Sequence, residues 1–387
     1  YDIIASVDSL PCGSRGVPGV LVAVACGWLV TTAAPARGDD AWDGVARVVA
    51  VGDVHGDYGQ LLVVLKDAGL VDEKLKWAGR RAHLVQTGDR VDRGADSRRV
   101  MDLLMRLEKE ARKAGGRVHA LLGNHEAMNM LRELRDVSPD DFKAFASPDA
   151  ARRRSDMWER LRKERRRDGK PAPSEEERRR FEAEIPLGWV ERRQAFAPQG
   201  TYGAWLCRQN AVIRVGDALF LHGGLSPKYA DFSLADLNDT IRRELREPDR
   251  MTAVVSQDPE GPLWYRGLAH ADFALSPHVD ALLKRHGVRR IVVGHTPTEG
   301  LVMPRFGGRV LVIDVGLAGA YGGPPAALVL EGGRAYALHR GKPVALPEGE
   351  GRPVLRYVRE VAALEPDPAR LRALAERLES ALAAPAP

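Results

Sequence analysis

The chain has 387 residues, of which 44% are hydrophobic and 29% charged. That composition excludes a disordered or fibrous protein and allows one large domain with insertions or two domains. A net charge of +5 is small for this length and gives no reason to expect a nucleic-acid partner. The three cysteines, Cys12, Cys26 and Cys207, exclude a cysteine-based zinc site and a disulfide scaffold. Arginine far outnumbers lysine and Gly, Ala and Pro are abundant, a composition typical of a GC-rich bacterial coding sequence.

The first segment reads as a secretory signal. Arg15 flanks an apolar run from Val17 to Thr32, and "AAPA", ending at Ala36, has the small-x-small pattern of a cleavage site. The run is shorter than the ~20 residues of a spanning helix. Residues 1–36 are therefore expected to be removed on export to the periplasm or medium, with an uncleaved membrane anchor as the alternative and no stable insertion after cleavage.

From Ala46 the pattern alternates. "ARVVAV" predicts a buried strand, Tyr58 to Ala68 a helix, "AHLVQTGD" a strand, Ser97 to about Lys113 a helix, and "RVHALLGN" a third strand. This βαβαβ rhythm predicts a parallel sheet flanked by helices. Between 131 and 210 the rhythm breaks, and a helical cap or insertion is expected. Its stretch Ala151 to Arg193 carries 15 Lys/Arg and 10 Asp/Glu, interleaved, as on a solvated helical face rather than a basic nucleic-acid surface. Later strands are expected at "ALFLHGG", "RRIVVGH", "RVLVIDVG", "AALVLE" and "RAYALH", the last three as a meander. The main globular unit is then expected over 45–340. "KPVALPEGEGRP" reads as a linker within 341–387, before a final helix with Leu371, Leu374, Leu378 and Leu382 on one side.

Five of the strands run directly into polar, glycine-flanked turns: "GDVHGD", "TGDRVDRGADS", "LLGNHEAMN", "FLHGG" and "VVGHTPT". Polar residues at the carboxyl ends of strands sit where open α/β sheets bind ligands. Collected, they are Asp53, His55, Asp89, Asn124, His222 and His295. Six nitrogen and oxygen ligands are too many for one tetrahedral ion. They suit two borderline divalent ions, such as Mn, Fe or Zn, bridged by a carboxylate. The other histidines, His83, His119, His270, His278, His286 and His339, read as structural.

GDVHG, GDRVDRG, GNHE, HGG and GH, in this order, resemble the phosphoprotein phosphatase family of the calcineurin-like metallophosphoesterases over roughly Arg47 to Leu330. The wider context "GNHEAMNMLRELRDVSPDDF", "GLSP" and "IDVG…AYGG" is similar to the bacterial Shewanella-like phosphatases. The resemblance implies that family's fold, with central sheets, flanking helices and a helical insertion. It implies Asp53, His55 and Asp89 on one ion, and Asp89, Asn124, His222 and His295 on the other. His125 would be the general acid and Asp92 its carboxylate partner, an arrangement that chemistry also asks for, since a leaving oxygen needs a proton. Arg93 would grip the phosphate, with Asn124 also reaching it, and Arg266 in "GPLWYRG" and Tyr321 in "AYGG" are the further phosphate-side candidates. Glu126 would support its loop.

The reaction expected is direct hydrolysis of a phosphorylated protein or peptide by a hydroxide between the ions, with a leaning toward phosphotyrosine and no phosphoenzyme. Cys207 lacks a phosphate-cradling loop and is expected to be packing. A dinucleotide polyphosphate or other small-phosphoester hydrolase is the second enzyme reading. A non-catalytic metal- or phosphopeptide-binding module is the third, although no ligand and neither member of the His125–Asp92 pair is missing.

Overall fold

Short apolar runs form the strands here, the central ones β-branched and buried along most of their length and the outlying ones only in part. They are β1 (Ala41–Trp42), β2 (Arg47–Val51), β3 (His83–Gln86), β4 (Arg117–Ala120), β5 (Val212–Val215), β6 (Ala218–Leu221), β7 (Arg290–Val293), β8 (Met303–Arg305), β9 (Val310–Val312), β10 (Ala326–Glu331), β11 (Arg334–His339) and β12 (Lys342–Ala345). The structure, a computed structural model, describes residues 39–248, 254–271 and 273–383. The signal-like segment of residues 1–36 lies outside them. Among the described residues no helix is long and apolar enough to cross a membrane.

The strands make two six-stranded sheets, ordered β12-β11-β10-β2-β3-β4 and β1-β5-β6-β7-β9-β8, over one shared apolar core. β2, β3 and β4 are parallel, joined by helices Tyr58–Asp67 and Ser97–Lys113. Their register aligns Val51, Gln86 and Ala120, so the three following turns leave one edge together. In the other sheet Leu221, Val293 and Val312 are aligned in the same way.

Two expectations are corrected. The strand in "RVLVIDVG" does not belong to a meander: β9 lies parallel to β7 in the other sheet. A long connection, 313–325, separates it from β10, whereas a meander needs tight turns. Those turns are Gly332-Gly333 and Arg340-Gly341, each a pair of positive-φ residues that matches strand twist. The meander is therefore β10-β11-β12. Consequently "KPVALPEGEGRP" is not simply a linker. It supplies β12, whose Val344 is buried, and runs into a helix, Arg352–Ala362, that buries Val354, Leu355, Tyr357, Val358 and Val361. In the final helix, Ala369–Ala383, Leu371 and Leu374 are buried but Leu382 is 44% exposed.

Helices Pro139–Phe145, Ala150–Arg167, Glu175–Glu184, Trp189–Phe196 and Thr201–Leu206 fill the interval between β4 and β5. Their charged faces carry ion pairs such as Arg165–Glu177 at 2.6 Å and Arg162–Glu159 at 2.8 Å. Their inner faces make a second, small core of Val137, Phe142, Trp158, Leu161, Phe181, Ile185 and Trp189. Phe181→Ala is expected to cost about 3–5 kcal/mol locally. Amide exchange should then speed up across residues 139–196 while β2, β3 and β4 stay protected, as read by hydrogen-exchange mass spectrometry. Equal loss of protection in both sheets would show that these helices have no core of their own.

Candidate active site

The turns after β2, β3 and β4 bring in Asp53 and His55, Asp89, and Asn124 with His125. Those after β6, β7 and β9 bring in His222, His295 and Asp314. All are buried. The two sheets can approach this closely because glycines line the seam. A Cβ on Gly88, at φ +113°, would lie 2.6 Å from Gly123 Cα and 2.8 Å from His222 Nδ1. One on Gly294 would lie 2.5 Å from Asp53 Oδ1. Five non-glycine residues of the motifs, His55, Asp89, Asp92, Arg93 and His295, hold positive φ between 44° and 69°. Such strain persists only where the surroundings over-determine it, and it gathers at functional sites.

Asp89 is the centre. Its Oδ2 lies 3.8 Å from His55 Nε2, 3.8 Å from His125 Nε2 and 3.3 Å from His222 Nε2. Its Oδ1 accepts the His125 N–H at 3.0 Å. Asp53 Oδ2 lies 3.9 Å from His55 Nε2, and Asp53 Oδ1 accepts the His295 N–H at 3.0 Å. Donor atoms converge into two groups that share Asp89: His55, Asp89 and His125, and Asp89, His222 and His295.

The donor set fits divalent ions. His55 Nδ1 and His222 Nδ1 are held by the Val91 and Thr87 carbonyls, at 3.1 and 3.0 Å, which leaves each Nε2 free to ligate. His222 Nε2 then faces two oxygens, Asn124 Oδ1 at 2.9 Å and Asp89 Oδ2 at 3.3 Å, a place that calls for a cation. His295 Nε2 is buried without a partner. Burial, with its neighbour His222, pushes the His295 imidazole down to about 2, and burial holds His55 at about 4, so both are neutral bases ready to ligate. Burial and the adjacent Asp314 and Asp89 charges push Asp53 well above the usual carboxylate range, and burial pushes Asp314 up to about 6. Burial also acts upward on Asp89, but the imidazoles of His222, His125 and His55 outweigh it and hold its carboxyl well below that range. Three carboxylates packed without a cation repel one another, and a divalent ion relieves that repulsion.

His125 is set apart by its Nδ1, which meets Asp92 Oδ2 at 2.8 Å. Burial acts downward on this imidazole, yet Asp89 and Asp92 outweigh it and raise it to about 9. Arg93 Nη2 is 3.4 Å from His125 Nε2, and the Tyr321 ring lies 5.4 Å from the Arg93 guanidinium and 5.6 Å from the His55 ring. Arg266 sits beside His295, donating from Nη1 to its carbonyl at 2.5 Å and to Thr296 Oγ1 at 3.3 Å. The residues expected in the site are thus connected to one another, Arg266 by way of His295 and Tyr321 by way of Arg93 and His55. Glu126 is built in more deeply than loop support implies: it is buried and accepts the N–H groups of Asp89, Arg90 and Gly123 at 2.8–2.9 Å, fixing one motif upon another. Cys207 is buried, and burial pushes its thiol up, as for a packing residue.

Sequence reasoning missed Asp314, Asn129 and Arg192. Asp314 follows β9 in "IDVG" and had the same signal as the other motifs, a carboxylate and a glycine at a strand end. Asn129 is one helical turn past His125 on the short helix Asn124–Met130 and donates from Nδ2 to both Asp92 oxygens at 2.9 Å. Arg192 was indistinguishable within an arginine-rich stretch.

Residues 46–299 match the family model for calcineurin-like phosphoesterases. The chain belongs to that family. It is a metal-dependent phosphatase whose site is built for divalent ions. It is 33% identical over 313 residues to an uncharacterized protein of Schizosaccharomyces pombe, covering 77% of this chain and 82% of that one. It is 29% identical to Shewanella-like protein phosphatase 2 of Arabidopsis thaliana, over 70% of this chain and 71% of the relative. Among solved structures it is similar to the cold-active protein-tyrosine phosphatase of a psychrophilic Shewanella species. There the TM-score is 0.61 and the identity 28%, over 80% of this chain and 82% of the other. The expected family and fold are borne out.

Loading with a divalent ion is expected to stabilise chelator-stripped protein by about 2.7 kcal/mol at a hundredfold excess over Kd, seen as a rise in melting temperature. Asp89→Asn should abolish that rise in scanning calorimetry. A rise unchanged in this variant would remove Asp89 from the ion-binding set.

Proposed function

We propose that this phosphatase hydrolyses phosphomonoesters on proteins or peptides, with phosphotyrosine preferred. In this reading it uses two divalent ions, manganese foremost, held by Asp53, His55, Asp89, Asn124, His222 and His295. One observation carries the reading: His125 is anchored through Nδ1 to Asp92 while its Nε2 faces both the shared carboxylate Asp89 and the Arg93 guanidinium. A proton donor and a phosphate grip therefore share the space the ligands enclose. The preference for phosphotyrosine is supported by the likeness to the Shewanella tyrosine phosphatase. Export is proposed on the pattern of residues 15–36 alone.

When bound, the ions supply an activated water and neutralise phosphoryl oxygens. The chain's own residues do the rest. Arg93 and Arg266 engage the phosphate from two sides, as a guanidinium matches its oxygens and stabilises charge that builds up on them. Asn124 lies between ligand and substrate. Tyr321 flanks Arg93 and limits where an aromatic leaving group can lie. His125 gives a proton from Nε2 to the departing oxygen, and Asp92 keeps the ring oriented and charged for that transfer.

The test is phosphate release from phosphotyrosine and phosphoserine peptides by manganese-loaded protein starting after Ala36. His125→Asn is expected to reduce kcat by about 10²–10⁴ with the metal content unchanged. Absence of turnover on every peptide, with metal bound and a dinucleotide polyphosphate hydrolysed, would overturn the protein-phosphatase reading in favour of a small-phosphoester hydrolase. The proton on His125 is lost as pH rises. In the metal-free chain that happens at about 9. With an ion offsetting the Asp89 charge, Asp92 alone sustains the shift. The alkaline limb of kcat/KM is therefore expected between the ordinary imidazole value of about 6.5 and 9, and should be missing in His125→Asn.

A further inference from the structure

The helical insertion sends one charged side chain to the Asp92–His125 pair. Arg192 lies on helix Trp189–Phe196, far along the chain from Asp92, and is fully buried. All three of its nitrogens are used. Nη2 donates to Asp92 Oδ1 at 2.7 Å, Nη1 to Asp141 Oδ2 at 2.7 Å and Nε to Asn129 Oδ1 at 3.0 Å. The rings of Phe145 and Phe196 lie 5.1 and 5.0 Å from the guanidinium carbon. The network closes on itself. Ser97 Oγ donates to Asp141 Oδ2 at 2.5 Å and accepts the Asp92 N–H at 3.0 Å, and Asn129 Nδ2 donates to the His125 carbonyl at 2.9 Å.

A buried guanidinium among phenylalanines is disfavoured unless each donor is matched, and an apolar residue would fill this place at lower cost. What the ion does here that an apolar residue cannot do is divide the two oxygens of Asp92. Oδ1 is taken by Arg192 and Oδ2 is presented to His125 Nδ1 at 2.8 Å. Arg192 is not among the ion ligands, nor among the groups facing the phosphate.

We propose that Arg192 is a positioning residue for the hydrolysis, locking the Asp92 carboxylate in the orientation that aims His125 Nε2 at the leaving oxygen. This rests on the reading of His125 as the proton donor. The insertion then takes part in the chemistry, since its docking onto the sheets sets the direction of the proton.

Leaving-group dependence tests it. Phenolate is a stronger base than p-nitrophenolate and needs the proton more. Manganese-loaded wild type, Arg192→Met and Arg192→Lys are compared on phenyl phosphate and p-nitrophenyl phosphate. The ratio of the two kcat values within one preparation does not depend on how much of it is folded. Arg192→Met is expected to lose about fivefold or more in that ratio, with KM and metal content close to wild type. Arg192→Lys should lose less, and carries the test if the methionine variant does not fold. In an Asp92→Asn background Arg192→Met should change the ratio no further, because the two act as one unit. Equal losses on both substrates, or a selective loss undiminished in the Asp92→Asn background, would overturn the proposal. His125→Asn separates the two levels of inference. Selectivity there without selectivity in the Arg192 variants overturns only the role of Arg192. No selectivity in His125→Asn overturns the proton-donor reading and this proposal together.

Discussion

The site depends on one carboxylate held where both sheets end. Asp89 leaves the carboxyl end of β3, yet the imidazole nearest to its Oδ2 is His222, which belongs to the opposite sheet. Three imidazole nitrogens approach that single oxygen, and Glu126 clamps the Asp89 backbone from beneath. An anion so enclosed is stable only with positive charge around it, from protonated imidazoles or from metal. Folding the two sheets together and assembling the ligand set are therefore the same event. This also accounts for the glycines: any side chain at 88, 123 or 294 would separate the groups that must meet.

Much of this was legible in the sequence because strand periodicity and motif placement were local signals. The run "ARVVAV" followed by Gly-Asp-Val-His-Gly says both that a strand is buried and that polar groups leave its end. Parallel pairing then aligns such ends without further information. The candidate ligands could be named before any coordinates, since each sits within a glycine-flanked motif, whereas the His125–Asp92 pair and Arg93 were implied by the family resemblance that those motifs carry.

The rest was not legible for reasons that are equally physical. β9 carries the same apolar alternation whichever sheet it joins, and the choice depends on its long connection to β10. β12 is short, begins with Lys-Pro and has a single buried residue, Val344, so it resembles a linker in sequence. Helix Arg352–Ala362 follows a glycine-rich stretch and starts with Arg-Pro, signals that also mark loops. Arg192 is one arginine among many, and its role comes from three partners, Asp92, Asn129 and Asp141, that the chain supplies from three other places. Long-range convergence of that kind leaves no local pattern.

The same network divides the insertion into two parts with different histories open to them. Helix Trp189–Phe196 is fixed at its start by Gly188, at φ +94°, where a Cβ would fall 1.8 Å from the Phe142 carbonyl, and at its middle by Arg192. The helices Ala150–Arg167 and Glu175–Glu184 are joined instead by an outward turn, 168–174, that is almost wholly exposed. Exposed polar turns are where chains accept added or lost residues. The outer hairpin of the insertion can thus lengthen, shorten or acquire a binding partner's shape while the return helix keeps its place, which makes the turn at 168–174 the natural graft point for altering what this phosphatase meets without altering what it does.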